Sequence, residues 1–239
     1  MCIRDRAVEI APEQLKIIKR LSPRMVRNSD IRAVEYATAQ AFPGKEHTWT
    51  ADGSWLMRAG DGVTGRSNSA VPLGPSAGFN PVPVEEITEF YRRHDLPVRL
   101  LIPERIGKPA ERLLADATWH TEPEILVMVL RDLADLSAEA PGSHPSCAEF
   151  RIDAQPDDAW LQMYHFRGQA LPAEALEYLR ARIEGTMGFG RLVIDGETVA
   201  ITRGTITESG DGTAWLGYSA VEVAPAHRRQ GLGALLGQH

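Results

Sequence analysis

Three β-rich segments follow one another in the last third of the chain, and they constrain the fold most. They cover residues 189–195, 198–208 and 213–223. Asp-Gly pairs separate them at positions 195–196 and 211–212. Asp-Gly favours two-residue hairpin turns, in which both central residues take positive φ. We therefore predict three adjacent antiparallel strands, whereas a dinucleotide-binding domain would alternate strands with helices.

One strand and two helices are predicted before these strands. EFRIDA (149–154) is a short β-rich run, and Pro156 followed by two aspartates is typical of a helix start. A second helix, PAEALEYLRARIEG, carries apolar residues at helical spacing and ends at Gly185. The predicted order of this half is β-α-α-β-β-β, followed by a loop that contains two glycines.

The N-terminal half has its own set of elements. We predict helices that start at Ser29-Asp30, Pro83 and Lys108, a hairpin at Asp61-Gly62, and strands at 98–102 and 124–133. The last of these is a continuous apolar run, which is typical of a central strand. The two halves therefore have independent secondary structure.

A change in composition separates the halves. SAEAPGSHPSCA contains prolines, serines and a glycine without any periodicity, which is typical of a linker. We predict an N-terminal domain at 7–136, a linker at 137–147 and a C-terminal domain at 148–239. Residues 1–6 (MCIRDR) fit no element that follows, and we interpret them as a non-native leader.

Composition excludes several classes of protein. The net charge of -6 disfavours nucleic-acid binding, because such domains are commonly basic. The first twenty residues lack the apolar core of a signal peptide, and no apolar run is long enough for a membrane span. Two cysteines cannot form a disulfide framework, so we expect a reduced, cytoplasmic protein. His144 and Cys147 share the linker without a second pair of ligands, and we predict no metal site.

The loop after the third strand has the character of an anion site. Pro225 ends the strand because proline cannot donate a ladder hydrogen bond, and Gly231 and Gly233 allow a tight turn before a helix begins. The first N–H groups of a helix lack internal acceptors and suit an anion such as pyrophosphate. Arg228 and Arg229 add positive charge. The spacing of these residues is not that of a Walker A loop. A dinucleotide-binding loop has its first glycine at the end of the strand, whereas these glycines follow the strand at a distance.

These residues resemble the signature of the GNAT superfamily of acetyl-CoA-dependent N-acyltransferases. The signature is hydrophobic-x-V-x-P followed by Q/R-x-x-G-x-G/A, and the chain reads VEVAP at 221–225 and RRQGLG at 228–233. Element order across 149–236 is similar as well. The resemblance implies an α+β (α/β mixed) fold with mostly antiparallel sheets flanked by helices.

The resemblance also implies which residues bind acetyl-CoA. Backbone N–H groups of the loop would hold the pyrophosphate, and the strand backbone would pair with the pantetheine amides. The positions that match are Val221, Val223, Arg228, Arg229, Gln230, Gly231, Leu232 and Gly233.

A second segment resembles a group of two-domain GNAT proteins that read W-x-x-R-x-x-x-G-x-T-x-R-x-N-S. The matching residues are Trp55, Arg58, Gly62, Thr64, Arg66, Asn68 and Ser69. This implies tandem GNAT-like domains. The N-terminal copy lacks an R-x-x-G-x-G loop in GPSAGFNPV (74–82), so we expect a degenerate copy without CoA binding that serves as scaffold or substrate wall.

The resemblance implies transfer of an acetyl group from acetyl-CoA to a primary amine by direct attack (EC 2.3.1.-). Glu222 and Tyr218 are the candidate base and substrate contacts, the alternative being a solvated Glu and a packed Tyr. Strict alternation puts both on one face, and a β-bulge, which is frequent here in the superfamily, would change that parity.

The usual tyrosine acid lies beyond the pyrophosphate helix. Because the chain ends at His239, we expect an incomplete C-terminal copy, and its activity stays open.

Two other functions remain open at this point. A non-catalytic acyl-CoA-binding or sensor module would bind CoA without turnover, and a dinucleotide oxidoreductase would bind NAD at the same loop. For the acyltransferase we expect a small-molecule or peptide amine as acceptor and no nucleic-acid or membrane partner.

Overall fold

The chain divides into two compact units. A computed structural model describes residues 2–8, 15–21, 27–115, 118–130, 148–166 and 169–237. The first unit comprises residues 1–131 with 209–213, and the second comprises 132–208 with 214–239. The predicted linker at 137–147, with His144 and Cys147, lies outside the described residues, as does His239.

An eight-stranded mixed sheet forms the first unit. Its strands, in chain order, are β1 (Cys2–Val8), β2 (Leu15–Leu21), β3 (Glu46–Trp49), β4 (Leu56–Ala59), β5 (Ala70–Val71), β6 (Val98–Pro103), β7 (Trp119–Thr121) and β8 (Leu126–Met128). Their spatial order is β3-β4-β5-β6-β2-β7-β1-β8. The pairs β5–β6, β2–β6 and β2–β7 are parallel, and the other pairs are antiparallel. The first strand includes residues of the segment interpreted as a leader, and that interpretation stays a prediction.

Two α-helices accompany this sheet, α1 (Asn28–Ala41) and α2 (Val84–Arg93). In α2, acidic residues occupy the first turn and arginines the last, which complements the helix dipole. Ile87, Phe90 and Tyr91 are buried against the sheet, so the helix predicted from Pro83 is confirmed. The helix predicted at Lys108 is instead a 3-10 helix, Lys108–Ala115.

The prediction of a central strand at 124–133 is wrong. Within the described residues 124–130, only Leu126–Met128 forms a strand, and among the described strands it lies at the edge of the sheet, where it pairs with β1. The side chain of Met128 is 73% exposed. An apolar run indicates a strand but not its number of neighbours, and a single partner leaves these side chains uncovered.

A second, wholly antiparallel sheet forms the other unit. Its spatial order is β14-β13-β12-β9, with β9 (Glu149–Asp153), β12 (Thr186–Ile194), β13 (Glu197–Glu208) and β14 (Ala214–Val223). A small hairpin joins β10 (His165–Phe166) to β11 (Gln169–Ala170). The turn residues Asp195 and Gly196 have φ of 50° and 83°, as a tight Asp-Gly hairpin requires. The three antiparallel strands predicted from the sequence are confirmed.

Helices cover both faces of this second sheet. Trp160 of α3 (Asp158–Met163) and Leu176 of α4 (Ala173–Arg182) pack on Ile201. Leu232 and Leu236 of α5 (Leu232–Leu236) pack around Ala200 on the other face. Alternating residues of β13 thus serve two cores, which explains why this strand is apolar along most of its length.

Asp157 connects α3 to the sheet. Its carboxylate accepts a hydrogen bond from the Trp160 N–H (2.9 Å) as the helix N-cap, and another from Arg191 Nη1 (2.7 Å). The bond from Arg191 lowers the pKa of Asp157. A lowered folded-state pKa gives stability that is present above the unfolded-state pKa of about 3.9 and is lost as the pH falls through the folded-state value.

We expect Asp157→Asn to retain the capping oxygen and to lose only the charge. The free energy of unfolding should fall by less than about 1 kcal/mol near neutral pH, because the carboxylate is 57% exposed. Thermal unfolding near neutral pH and at about pH 3 should show the difference shrinking with acid. Asp158→Asn is the control, since Asp158 makes no ion pair with any described residue. A difference that stays constant with pH would refute the charge contribution.

Candidate active site

A β-bulge interrupts β14, the edge strand of the second sheet. Arg203 pairs with Ser219 and Ile201 pairs with Glu222, so Thr202 alone lies opposite Ala220 and Val221. Ala220 has φ of 53°, a left-handed conformation that a non-glycine residue adopts only when its surroundings hold it there. The Thr202 hydroxyl donates to the Ser219 carbonyl (3.3 Å) beside the bulge.

The bulge overturns the predicted alternation of β14. Ile201 and Arg203 share a face of β13, so their partners Glu222 and Ser219 share that face of β14. Tyr218 pairs with Gly204 and therefore lies on the opposite face from Glu222. Tyr218 and Glu222 do not face one common site: strict alternation fails beyond Ala220, and the alternative, a bulge that changes the parity, is present.

Glu222 lies on the face of the sheet that carries α3 and α4. Its paired residue, Ile201, packs with Trp160, Tyr164 and other apolar residues of that face. Val223 lies on the other face, against the core of α5. Tyr218 is 41% exposed, and partial burial raises the pKa of its phenol. A phenol with a raised pKa keeps its proton and acts as a hydrogen-bond donor at neutral pH.

The backbone of Val223 points to the open side of β14. The Ala224 N–H donates to the Val199 carbonyl on β13 (2.8 Å). Because antiparallel residues alternate between inward and outward backbone groups, the N–H and carbonyl of Val223 face outward. The Val223 carbonyl accepts a hydrogen bond from Arg228 Nε (3.0 Å). This outward edge is where the resemblance implies that pantetheine pairs.

The loop after β14 contains two residues with a left-handed backbone conformation. A single 3-10 turn, Pro225–His227, leads into it. Arg229 has φ of 66°, and Gly231, the N-cap of α5, has φ of 79°. A glycine adopts such a φ without steric strain, which accounts for Gly231 at this position.

Five consecutive backbone N–H groups in this loop lack acceptors. Within the described part of the chain, the N–H groups of residues 229–233 donate to no protein atom. Leu232 is buried at 1% exposure and anchors the loop on the core, whereas Arg229 and Gln230 are exposed. A Cβ added at Gly233 would meet nothing closer than Val223 Cγ2 at 3.9 Å, so the fold itself does not require this glycine. The loop therefore fits an anion with several oxygen acceptors.

Arg228 and Glu222 form an ion pair beside the loop. Arg228 Nη2 lies 2.8 Å from Glu222 Oε1, and the side chains are 57% and 33% exposed, respectively. The candidate base is thus in contact with one of the candidate phosphate ligands. The sequence places these residues six apart but did not indicate this contact, which depends on the direction of the loop after Pro225.

Arg203 is a buried residue at the bulge, and it belongs to none of the motifs in the sequence. It is 1% exposed, and its Nε donates to the Ser219 hydroxyl (2.9 Å). Burial lowers the pKa of its guanidinium, and Tyr164 acts against this shift. The sequence did carry a signal for this residue, because an arginine within the largely apolar strand segment TVAITRGTITE indicates a buried cation, and a buried cation needs polar partners.

The motif of the N-terminal half builds a buried polar support. The Asn68 side chain accepts from the N–H groups of Gly60 (2.7 Å) and Gly62 (3.2 Å) and donates to the Thr64 carbonyl (2.7 Å). Arg58, only 2% exposed, donates to the Ser69 hydroxyl and to a backbone carbonyl. These hydrogen bonds hold residues 60–69, which connect the paired strands β4 and β5. The simple hairpin turn predicted at Asp61-Gly62 is replaced by this longer connection.

Comparisons with known proteins show the family of this chain. A family model described as "Probable histone acetyltransferase Rv0428c C-terminal" matches residues 28–239. The chain belongs to this family. A Mycobacterium tuberculosis relative described as "Probable histone acetyltransferase Rv0428c" is 36% identical over 217 residues. The match covers 91% of this chain and 62% of the relative, so the chain spans less than two thirds of that protein's length.

A solved structure shares the fold of this chain. A solved GCN5-related N-acetyltransferase from Kribbella flavida is similar with a TM-score of 0.51 at 18% identity, over 86% of this chain and 78% of that chain. The GNAT membership and the α+β fold predicted from the sequence are confirmed. No helix in the described ranges is long and apolar enough to cross a bilayer. The absence of a metal site stays a prediction.

Proposed function

We propose that this chain is an N-acetyltransferase that transfers the acetyl group of acetyl-CoA to a primary amine by direct attack. The observation that carries the proposal is the row of N–H groups without protein acceptors at residues 229–233 in the described structure. It occurs directly after the bulged edge strand, in a chain of an acetyltransferase family.

The loop supplies the ligands of the CoA diphosphate. The N–H groups from Arg229 to Gly233 donate to the phosphate oxygens, and each such charge-assisted bond contributes about 1.5–3 kcal/mol. Arg228, Arg229 and the Gln230 amide extend the polar surface of the loop. The outward backbone of Val223, together with the backbone of Val221 in the bulge, pairs with the pantetheine amides, as an added strand pairs with a sheet edge.

Acetyl-CoA supplies an activated thioester, so the chain must mainly align the amine and remove a proton. Alignment can contribute about 7–11 kcal/mol. An amine with a pKa of about 10.4 is mostly protonated at pH 7, which costs about 4.6 kcal/mol. Glu222, on the face of α3 and α4, accepts that proton.

The proton and bond balance follows from these roles. The amine nitrogen bonds to the acetyl carbonyl carbon, and the bond between that carbon and sulfur breaks. The ammonium loses two protons: one leaves through Glu222 to solvent, and the other ends on the CoA sulfur. The products are an N-acetylated amine and free CoA thiol.

The acceptor is a small-molecule or peptide amine. The description of the M. tuberculosis relative names histones, whose lysine side chains are primary amines. A lysine peptide is therefore one member of the acceptor class to be examined, beside small amines.

A non-catalytic acyl-CoA-binding module is the second candidate function. It is favoured by the separation of Tyr218 and Glu222 onto opposite faces of β14, and by the engagement of Glu222 with Arg228. Such a module would bind acetyl-CoA without turnover.

Amine-dependent release of CoA thiol separates the two functions. The full chain is incubated with acetyl-CoA and a panel of lysine peptides and small amines, and the thiol is measured. We expect release that depends on an amine and that falls at least about tenfold in Glu222→Gln, since the variant loses a general base. Acetyl-CoA binding without amine-dependent release on any member of the panel would support the binding module instead.

A further inference from the structure

Arg228 contacts both groups that the proposed reaction needs. Its Nη2 lies 2.8 Å from Glu222 Oε1, the proposed base, and its Nε donates to the Val223 carbonyl at 3.0 Å. The Val223 carbonyl belongs to the outward edge of β14, where pantetheine would pair. In the free chain this one guanidinium therefore occupies part of the β14 edge where pantetheine would pair, and it neutralises the charge of the proposed base.

The same guanidinium is also a suitable ligand for phosphate. A planar guanidinium binds phosphate oxygens with two parallel hydrogen bonds, and such bonds are stronger than those of an exposed ion pair. The Arg228–Glu222 pair is half-exposed, so little free energy opposes its exchange. A diphosphate at the adjacent N–H groups of residues 229–233 would therefore compete with Glu222 for Arg228.

We propose that Arg228 is a positioning residue that makes the base available only when the cofactor is bound. In the free chain Arg228 holds Glu222 and covers the Val223 carbonyl. The CoA diphosphate draws Arg228 away, which frees the carbonyl for pantetheine and the carboxylate for the amine. This inference rests on the proposed binding of acetyl-CoA at the loop, and it implies that acetyl-CoA binds before the amine.

Replacing the base should then tighten cofactor binding. In Glu222→Gln, Arg228 no longer has a carboxylate partner, and acetyl-CoA does not need to break the pair. We expect the affinity for acetyl-CoA to rise about two- to five-fold, the strength of an exposed ion pair. Arg228→Gln should weaken binding about tenfold, because a charged phosphate ligand is lost. Calorimetric titration of acetyl-CoA into the full chain measures both, and thermal unfolding verifies that the variants are folded.

The double variant separates competition from simple charge removal. If Glu222 acts through Arg228, Glu222→Gln gives no gain in the Arg228→Gln background, and the two effects are not additive. An equal gain in both backgrounds, or no gain in either, would overturn the inference while leaving acetyl-CoA binding intact. A wild-type chain that does not bind acetyl-CoA would overturn the proposed function and this inference with it.

Discussion

Gly231→Glu is expected to weaken acetyl-CoA binding at least about 100-fold, which corresponds to about 2.8 kcal/mol. Gly231 has φ of 79° and is the N-cap of α5. A glutamate there is strained by about 1–2 kcal/mol and brings a negative charge to the N–H groups that would hold the diphosphate. Both effects act directly on the loop. Calorimetric titration of acetyl-CoA into the variant measures the loss.

Gly196→Glu is the matched control for this variant. Gly196 has φ of 83° in the turn between β12 and β13, and a Cβ there would meet nothing within 4 Å. It should show a similar loss of thermal stability from backbone strain, with acetyl-CoA affinity unchanged. If both variants lose affinity equally, the effect comes from strain or charge in general and the assignment of the loop fails.

Asn68→Ala is expected to lower the free energy of unfolding by about 1–3 kcal/mol, through the loss of three partly buried hydrogen bonds. The Asn68 side chain is 2% exposed and joins the N–H groups of Gly60 and Gly62 to the Thr64 carbonyl. Without it, the partly buried backbone groups of Gly60, Gly62 and Thr64 lose the side chain that joins them. Denaturant unfolding of the full chain, followed by tryptophan fluorescence, measures the change.

Asn80→Ala provides the comparison for this effect. The Asn80 side chain makes one exposed hydrogen bond of 3.4 Å to Asp52, so its removal should cost less than about 0.5 kcal/mol. A loss below about 1 kcal/mol in Asn68→Ala would show that the motif does not support the fold. The motif would then have to act in binding instead, although Arg58 and Asn68 are buried and therefore poorly placed to contact a ligand.

Elements with a strong local signal were predictable from the sequence. Asp195-Gly196 specifies its turn because both residues adopt positive φ there. Pro83 and the charges at the two ends of α2 define that helix without help from the rest of the fold. The glycine loop was likewise predictable, since Gly231 adopts a left-handed φ that its residue type favours.

Features that depend on pairing between distant residues were not predictable. The family resemblance allowed for a bulge in this strand but did not place it: at Ala220 one residue of β13 faces two of β14, and no residue type in SAVEV marks that position. Its consequence is large because Tyr218 and Glu222 then lie on different faces. The edge position of β8 likewise depends on its pairing with β1 alone, which its apolar sequence does not encode.

Hydrogen exchange of the loop amides tests the central claim most directly. The N–H groups of residues 229–233 have no acceptor within the described structure and should exchange quickly in the free chain. Saturating acetyl-CoA should slow exchange in peptides that span this loop and β14, with little change in the 60–69 connection. Unchanged exchange in the loop at saturating acetyl-CoA, or protection confined to another part of the chain, would contradict the assignment of this loop as the diphosphate site.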